Sequence, residues 1–384
     1  MRIPSVDALR GFVMIVMALD HVRDFFHRAA MSGASPTDVR VASTMLFMTR
    51  WVTHICAPVF MLTAGLGAYF YWKNGNRTKG QLSWFLVSRG LWLIILELTV
   101  MQLAYNFDVS SSYPIFLLVL WILGASMILL AALVWLPITW LAPLSVATIV
   151  LHHLLDGIQV WPLVHQVSVF QVAGLTVIAP YTVVPWFAVM ALGFCIGPIF
   201  SRGPEDRRRS LIRIGAGITI AFAVVRTLNI YGDPAPWSVQ ALPPRTLLSF
   251  LNTTKYPPSL AFLLMTLGPA LLMLAWLDRR GLSGRNPLVV FGRVPLFYFV
   301  LHFFLAHAVA VVMAVFTHGG AAWSFMFQPV PSMGGPATAF PAGFGYDLWV
   351  TYVAWIAIVA TLYPLCLRFA RFKEHHRAWW VSYI

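Results

Sequence analysis

The 384-residue chain is 59% hydrophobic and only 10% charged, against roughly 45–50% and about 25% for soluble proteins, and its mean hydropathy is +0.77. A water-soluble fold could not cover its surface with so few charges, so the composition specifies an all-α, polytopic integral membrane bundle. The net charge of +13 does not point to nucleic acid, because the basic residues fall in short clusters between apolar stretches, the pattern that records membrane orientation.

Ten stretches are long enough to cross a hydrocarbon core of about 30 Å, which takes about 20 residues each. They run near 9–27, 45–72, 84–105, 113–136, 138–155, 181–200, 211–230, 258–277, 294–316 and 346–369, in a single transmembrane domain over 1–384. The apolar run after Arg10 lacks a small-residue cleavage site, so the first span is expected to stay in the mature protein. With a cytoplasmic N-terminus, most Lys and Arg residues fall inside. The inside set runs from Arg2 and Arg10 through the groups Lys73–Arg89, Arg202–Arg213, Arg279–Arg293 and Arg368–Arg377. Both termini are then cytoplasmic, in a plasma (inner) membrane. The apolar segment 160–180 would reverse this bias if it crossed, so it is read as re-entrant or interfacial. The uncharged, Gly- and Pro-rich loop 317–345 is read as a lid on the outer surface. Cys56, Cys195 and Cys366 form no CxxC and no paired framework.

Ionisable residues inside spans are expensive and therefore mark function. The first span carries Arg10, Asp20, His21, Asp24 and His27; the second opens with Arg50 and His54. Glu97 lies in the third, which ends at Asn106. Arg226 and Asn229 end the seventh, the loop SFLNTTKYPP presents Asn252, Lys255 and Tyr256, and the ninth carries His302 and His307. Under the assigned topology most of these lie in the outer half of the membrane and imply a hydrated cavity. A histidine there can take a proton from an alcohol or amine, or carry an acyl group itself. Asp24, one turn from His21, is the expected orienting partner, with Asp20 the alternative. His153 and Asp156 have helical spacing but no further ligands in sequence, so no metal site is expected.

The segment SVDALRGFVMIVMALDHVRDFF (Ser5–Phe26) resembles the start of the heparan-alpha-glucosaminide N-acetyltransferase-like membrane proteins, with their S-x-D-x-x-R-G entry to an apolar span. THICAPVFMLTAG (Thr53–Gly65) is similar to their second span, and FGRVPLFYFVLHFFLAH (Phe291–His307) to their C-terminal span with a buried histidine. Membrane acyltransferases more broadly place a histidine about ten residues after the R-G pair, here His21. The chain departs from the family in two places: His54 stands where an Asp precedes the proline, and His27 is the nearest match to the family's loop histidine.

The resemblance implies acetyl transfer from acetyl-CoA to a hydroxyl or amino group of a glycan or other extracytoplasmic acceptor. His21 is then the expected base or acyl carrier, with His54, His302 and His27 the further candidates. Arg50, Arg226 and Lys255 are expected to hold anionic groups of donor or acceptor, and Arg10, Glu97, Asn106, Asn229, Asn252 and Tyr256 to line the substrate site. The expected partners are the lipid bilayer, acyl-CoA and the acceptor, with no haem, metal or nucleic acid; a homodimer is compatible with the chain. The alternative is a proton-coupled small-molecule transporter using the same Asp, His and Glu residues as a relay. It lacks the inverted repeats common in such proteins.

Overall fold

The computed structural model describes residues 3–384 apart from 109–112, 159–161, 377, 379–380, 382 and 384. Arg2, Arg377 and the first residues of the 160–180 segment therefore lie outside the described residues. Helix α1 (Pro4–Phe26) begins with proline in the first turn, where no N–H partner is needed, and with Asp7 at its positive end. The Ser43 hydroxyl caps α2 (Thr44–Asn74), accepting the Leu46 N–H at 3.2 Å. That helix breaks after Thr53 and resumes at Cys56, because Pro58 offers no N–H to the His54 carbonyl and its ring crowds it. A Thr78–Gln81 capping box starts α3 (Lys79–Asn106), which takes a π turn at Glu97–Met101.

The remaining long helices are α4 (Val119–Leu133), α5 (Ile138–Leu155), α6 (Val183–Ser201), α7 (Pro204–Leu228), α8 (Leu260–Asp278), α9 (Pro295–His318) and α10 (Leu348–His375). The protein is 71% helical, and among the described residues eight helices are long and apolar enough to cross a membrane. The two others are α4, at 15 residues, and α1, which carries Arg10, Asp20, Arg23 and Asp24.

Packing explains how α1 tolerates those charges. It lies inside the bundle against α2, α8, α9, α10 and the short Pro287–Arg293 helix, so its ionisable groups do not face lipid. The approach to the short helix is closest of all: a Cβ at Gly11 would sit 1.8 Å from the Leu288 carbonyl oxygen, and one at Gly292 1.7 Å from that of Asp7. The R-G pair of the sequence motif thus has a packing reason for its glycine.

One element departs from an all-helical reading. Segment 160–180 contains no spanning helix among its described residues; it folds as the antiparallel hairpin β2 (Ser168–Val172) and β3 (Leu175–Ala179), with β3 also pairing in parallel with β1 (Ile115–Phe116). Ala173 and Gly174 form the two-residue turn, both at positive φ (51° and 82°), as a type I′ hairpin requires. The loop 317–345, expected on the outer side, is folded as well: Phe325, Met326, Val330, Phe340 and Phe344 are buried in it. Just beyond it, the Tyr346 N–H donates to the Phe26 carbonyl at 2.7 Å. Hairpin and loop together roof one end of the bundle.

Candidate active site

His21 on α1 and His302 on α9 meet beneath that roof. His21 Nδ1 lies 2.6 Å from His302 Nε2, and His302 Nδ1 lies 3.1 Å from the Tyr298 carbonyl oxygen. A carbonyl only accepts, so His302 Nδ1 carries the proton and its Nε2 is bare. In the neutral pair His21 Nδ1–H then donates to His302, and His21 Nε2 is left as an acceptor. Phe303 stacks on the His21 ring with centroids 4.0 Å apart, fixing its plane. The result has the logic of a catalytic triad, with a second histidine in the place of the aspartate.

His21 borders a cavity of about 340 Å³ whose polar wall is Asp20, Arg23, Asp24, Arg50, Lys255, Tyr181 and Tyr256, and whose roof is Ser332–Gly334. Arg50 and Asp20 form an ion pair; Arg23 lies 3.1 Å from Asp20 and 2.7 Å from Asp24. Asp24 therefore bonds Arg23, while the His21 ring bonds His302. Three cations against two carboxylates leave the cavity positive. Arg23 Nη1 is buried without a hydrogen-bond partner among the described residues, a donor available to an anion. Burial would raise the Tyr256 phenol, but Lys255 and Arg50 outweigh it and hold it below its ordinary value. An adjoining compartment of about 470 Å³ brings in His54 and Asn252.

A larger cavity of about 890 Å³ opens toward the other end of α1, lined by Arg10, Arg77, Arg89, Tyr71, Phe85 and Tyr383 among others. Val119 and Phe299 line both this vestibule and the His21 cavity. Eleven residues separate Arg10 from His21, a rise of about 16 Å.

The other expected residues have structural partners. His27 Nδ1 accepts the Ala29 N–H at 3.1 Å, capping the next short helix. Glu97 accepts from Tyr105 and from the Leu120 and Trp121 N–H groups at the start of α4. Arg226 donates to the carbonyls of Ala235, Ser249, Phe250 and Asn252. Asn229 exchanges two hydrogen bonds with the Trp237 backbone, and Asn106 is buried at the end of α3. Sequence reading did not single out Arg23, Tyr181, Arg77 or Arg89. Arg23 was the findable one, three residues after Asp20 on the same face.

These features define a polytopic helical membrane protein that encloses a histidine-centred cavity between a basic vestibule and a second charged chamber. Residues 2–232 match the family described as heparan-alpha-glucosaminide N-acetyltransferase, catalytic. The chain belongs to that family and is, in general terms, a membrane acetyltransferase. No curated protein matches it individually. The matched range supplies His21, Arg23 and Arg50; Lys255, Tyr256 and His302 complete the site from beyond it.

Proposed function

We propose that this protein transfers an acetyl group from acetyl-CoA to a hydroxyl or amino group of a glycan or other extracytoplasmic acceptor, with His21 as general base. The observation that carries the reading is the hydrogen-bonded order Tyr298 carbonyl, His302, His21, which leaves His21 Nε2 bare at a cavity wall. The vestibule is the donor's entrance: Arg10, Arg77 and Arg89 suit the CoA phosphates, and the pantetheine arm extends past Val119 and Phe299. The acceptor occupies the outer chamber. His21 Nε2 removes the acceptor's proton as its oxygen or nitrogen attacks the thioester carbonyl carbon. Lys255 and the Arg23–Arg50 pair stabilise the oxyanion. The C–S bond then breaks, and the CoA sulfur takes the proton from His21 Nε2.

Orientation supports this division, because the vestibule end of α1 is the end assigned to the cytoplasm. The test uses purified protein, acetyl-CoA and a panel of amino sugars and polyols. CoA release that needs acetyl-CoA, is stimulated by an acceptor and vanishes in His21→Ala supports the reading. Absent acetyl-CoA binding, together with acceptor uptake into proteoliposomes, supports transport instead.

A further inference from the structure

A second histidine cluster lies away from this cavity, where α5 ends and the chain runs toward β2. His152 is 3% exposed and His165 1% exposed. Their facing nitrogens, His152 Nδ1 and His165 Nε2, are 2.9 Å apart, and Asp156 Oδ1 lies 3.7 Å from His165 Nε2. One ligand atom from each of the three residues falls within 4.8 Å of the others. Four ligands at about 2.0–2.1 Å around a tetrahedral metal stand about 3.3 Å from one another, a value that lies between the 2.9 Å and 3.7 Å separations here.

The surroundings are those of a supported site. His153 Nε2 accepts the Leu260 N–H at 3.1 Å, so its proton is on Nδ1, which donates to Asp156 Oδ2 at 2.7 Å. That bond orients the carboxylate and leaves Oδ1 toward the histidine pair, the arrangement outer-shell groups supply around metals. His165 is held by its own chain: the Val183 and Val184 N–H groups donate to the Leu163 and Val164 carbonyls, each at 2.8 Å.

Asp156, with 33% of its side chain exposed, gives solvent and ions a route in.

We propose that His152, His165 and Asp156 bind a divalent transition-metal ion of the zinc class, with water as the fourth ligand. Two imidazoles and one carboxylate suit zinc and its neighbours and not the hard cations. The metal ties the end of α5 to the segment entering the β2–β3 hairpin. Ile178, Pro180 and Tyr181, at and just beyond the end of that hairpin, wall the His21 cavity, so the ion sets the roof while none of its ligands lines the cavity. This inference is independent of the acetyltransfer mechanism.

The experiment uses tag-free, full-length protein in detergent, stripped with a chelator and titrated with Co²⁺ and then Zn²⁺. The expected result is one Co²⁺ per chain with the strong visible band of low-coordinate cobalt, lost on adding Zn²⁺. Asp156→Asn and His165→Gln should each weaken binding at least about tenfold, and His153→Ala, as a positioning residue, by about 10- to 100-fold. His318→Ala, an exposed histidine elsewhere bonded to Thr317, should bind as wild type does. Absence of a saturable one-to-one band in wild type overturns the proposal. So does a band that survives both Asp156→Asn and His165→Gln. If His165→Gln cannot be purified, the wild-type titration and the solvent-exposed Asp156→Asn variant decide.

Discussion

Replacing His302 by phenylalanine keeps a planar ring on α9 but removes the acceptor for His21 Nδ1–H. In wild type that bond selects the tautomer with Nε2 bare. In the variant the same tautomer carries a buried donor with no partner, which costs about 1–3 kcal/mol. The other tautomer, protonated on Nε2, avoids the cost and cannot act as base. Since about 1.4 kcal/mol is tenfold, the competent form falls by roughly 5- to 150-fold, and kcat with it. KM for acetyl-CoA should stay near the wild-type value, because no residue of the vestibule rim changes. His302→Gln, whose Oε1 can accept from His21, should recover most of the loss. His21→Ala should lose more, about 10²- to 10⁴-fold. The assay is CoA release followed with a thiol reagent across acetyl-CoA concentrations at saturating acceptor. Undiminished kcat in His302→Phe would refute the argument, as would a glutamine variant no better than phenylalanine. A loss equal to that of His21→Ala would make His302 the base.

Lys255→Ala should lower kcat by about 10²- to 10³-fold, the size of a lost oxyanion donor. Its melting temperature should stay close to wild type, and an unchanged kcat would leave Lys255 with a packing role. Gly292→Ala places a methyl against the Asp7 carbonyl and should destabilise the protein by about 1–3 kcal/mol; Gly203→Ala, with open space around it, should be neutral, and equal melting temperatures would show that α1 can shift. In a background free of Cys56, Cys195 and Cys366, Gly203→Cys should label from the cytoplasmic side and Gly320→Cys from outside. Labelling of both from one side would overturn the assigned orientation.

The helical membrane character was legible because a membrane helix satisfies its own backbone and announces itself by length and hydropathy; among the described residues eight helices meet both measures, while α4 is short and α1 is charged. His21 and Asp20 were legible for a related reason: charge within a span is costly enough to mark a purpose. Register along one helix, however, tells only which residues share its face. It led from His21 to Asp24, one turn away, whereas the ring's partner is His302, 281 positions on, a pairing that no local spacing encodes. The hairpin at 168–179 carried a signal in its β-branched run and Ala-Gly turn, hidden by an apolar composition that lipid-facing helices share. Glu97 and Arg226 show the converse case, two charges in spans held mainly by backbone groups, with Tyr105 and Asp233 beside them. Whether a buried charge serves chemistry or architecture depends on what the fold brings within hydrogen-bond reach. Only the tertiary structure decides that, because such contacts are set by the packing of helices far apart in the chain.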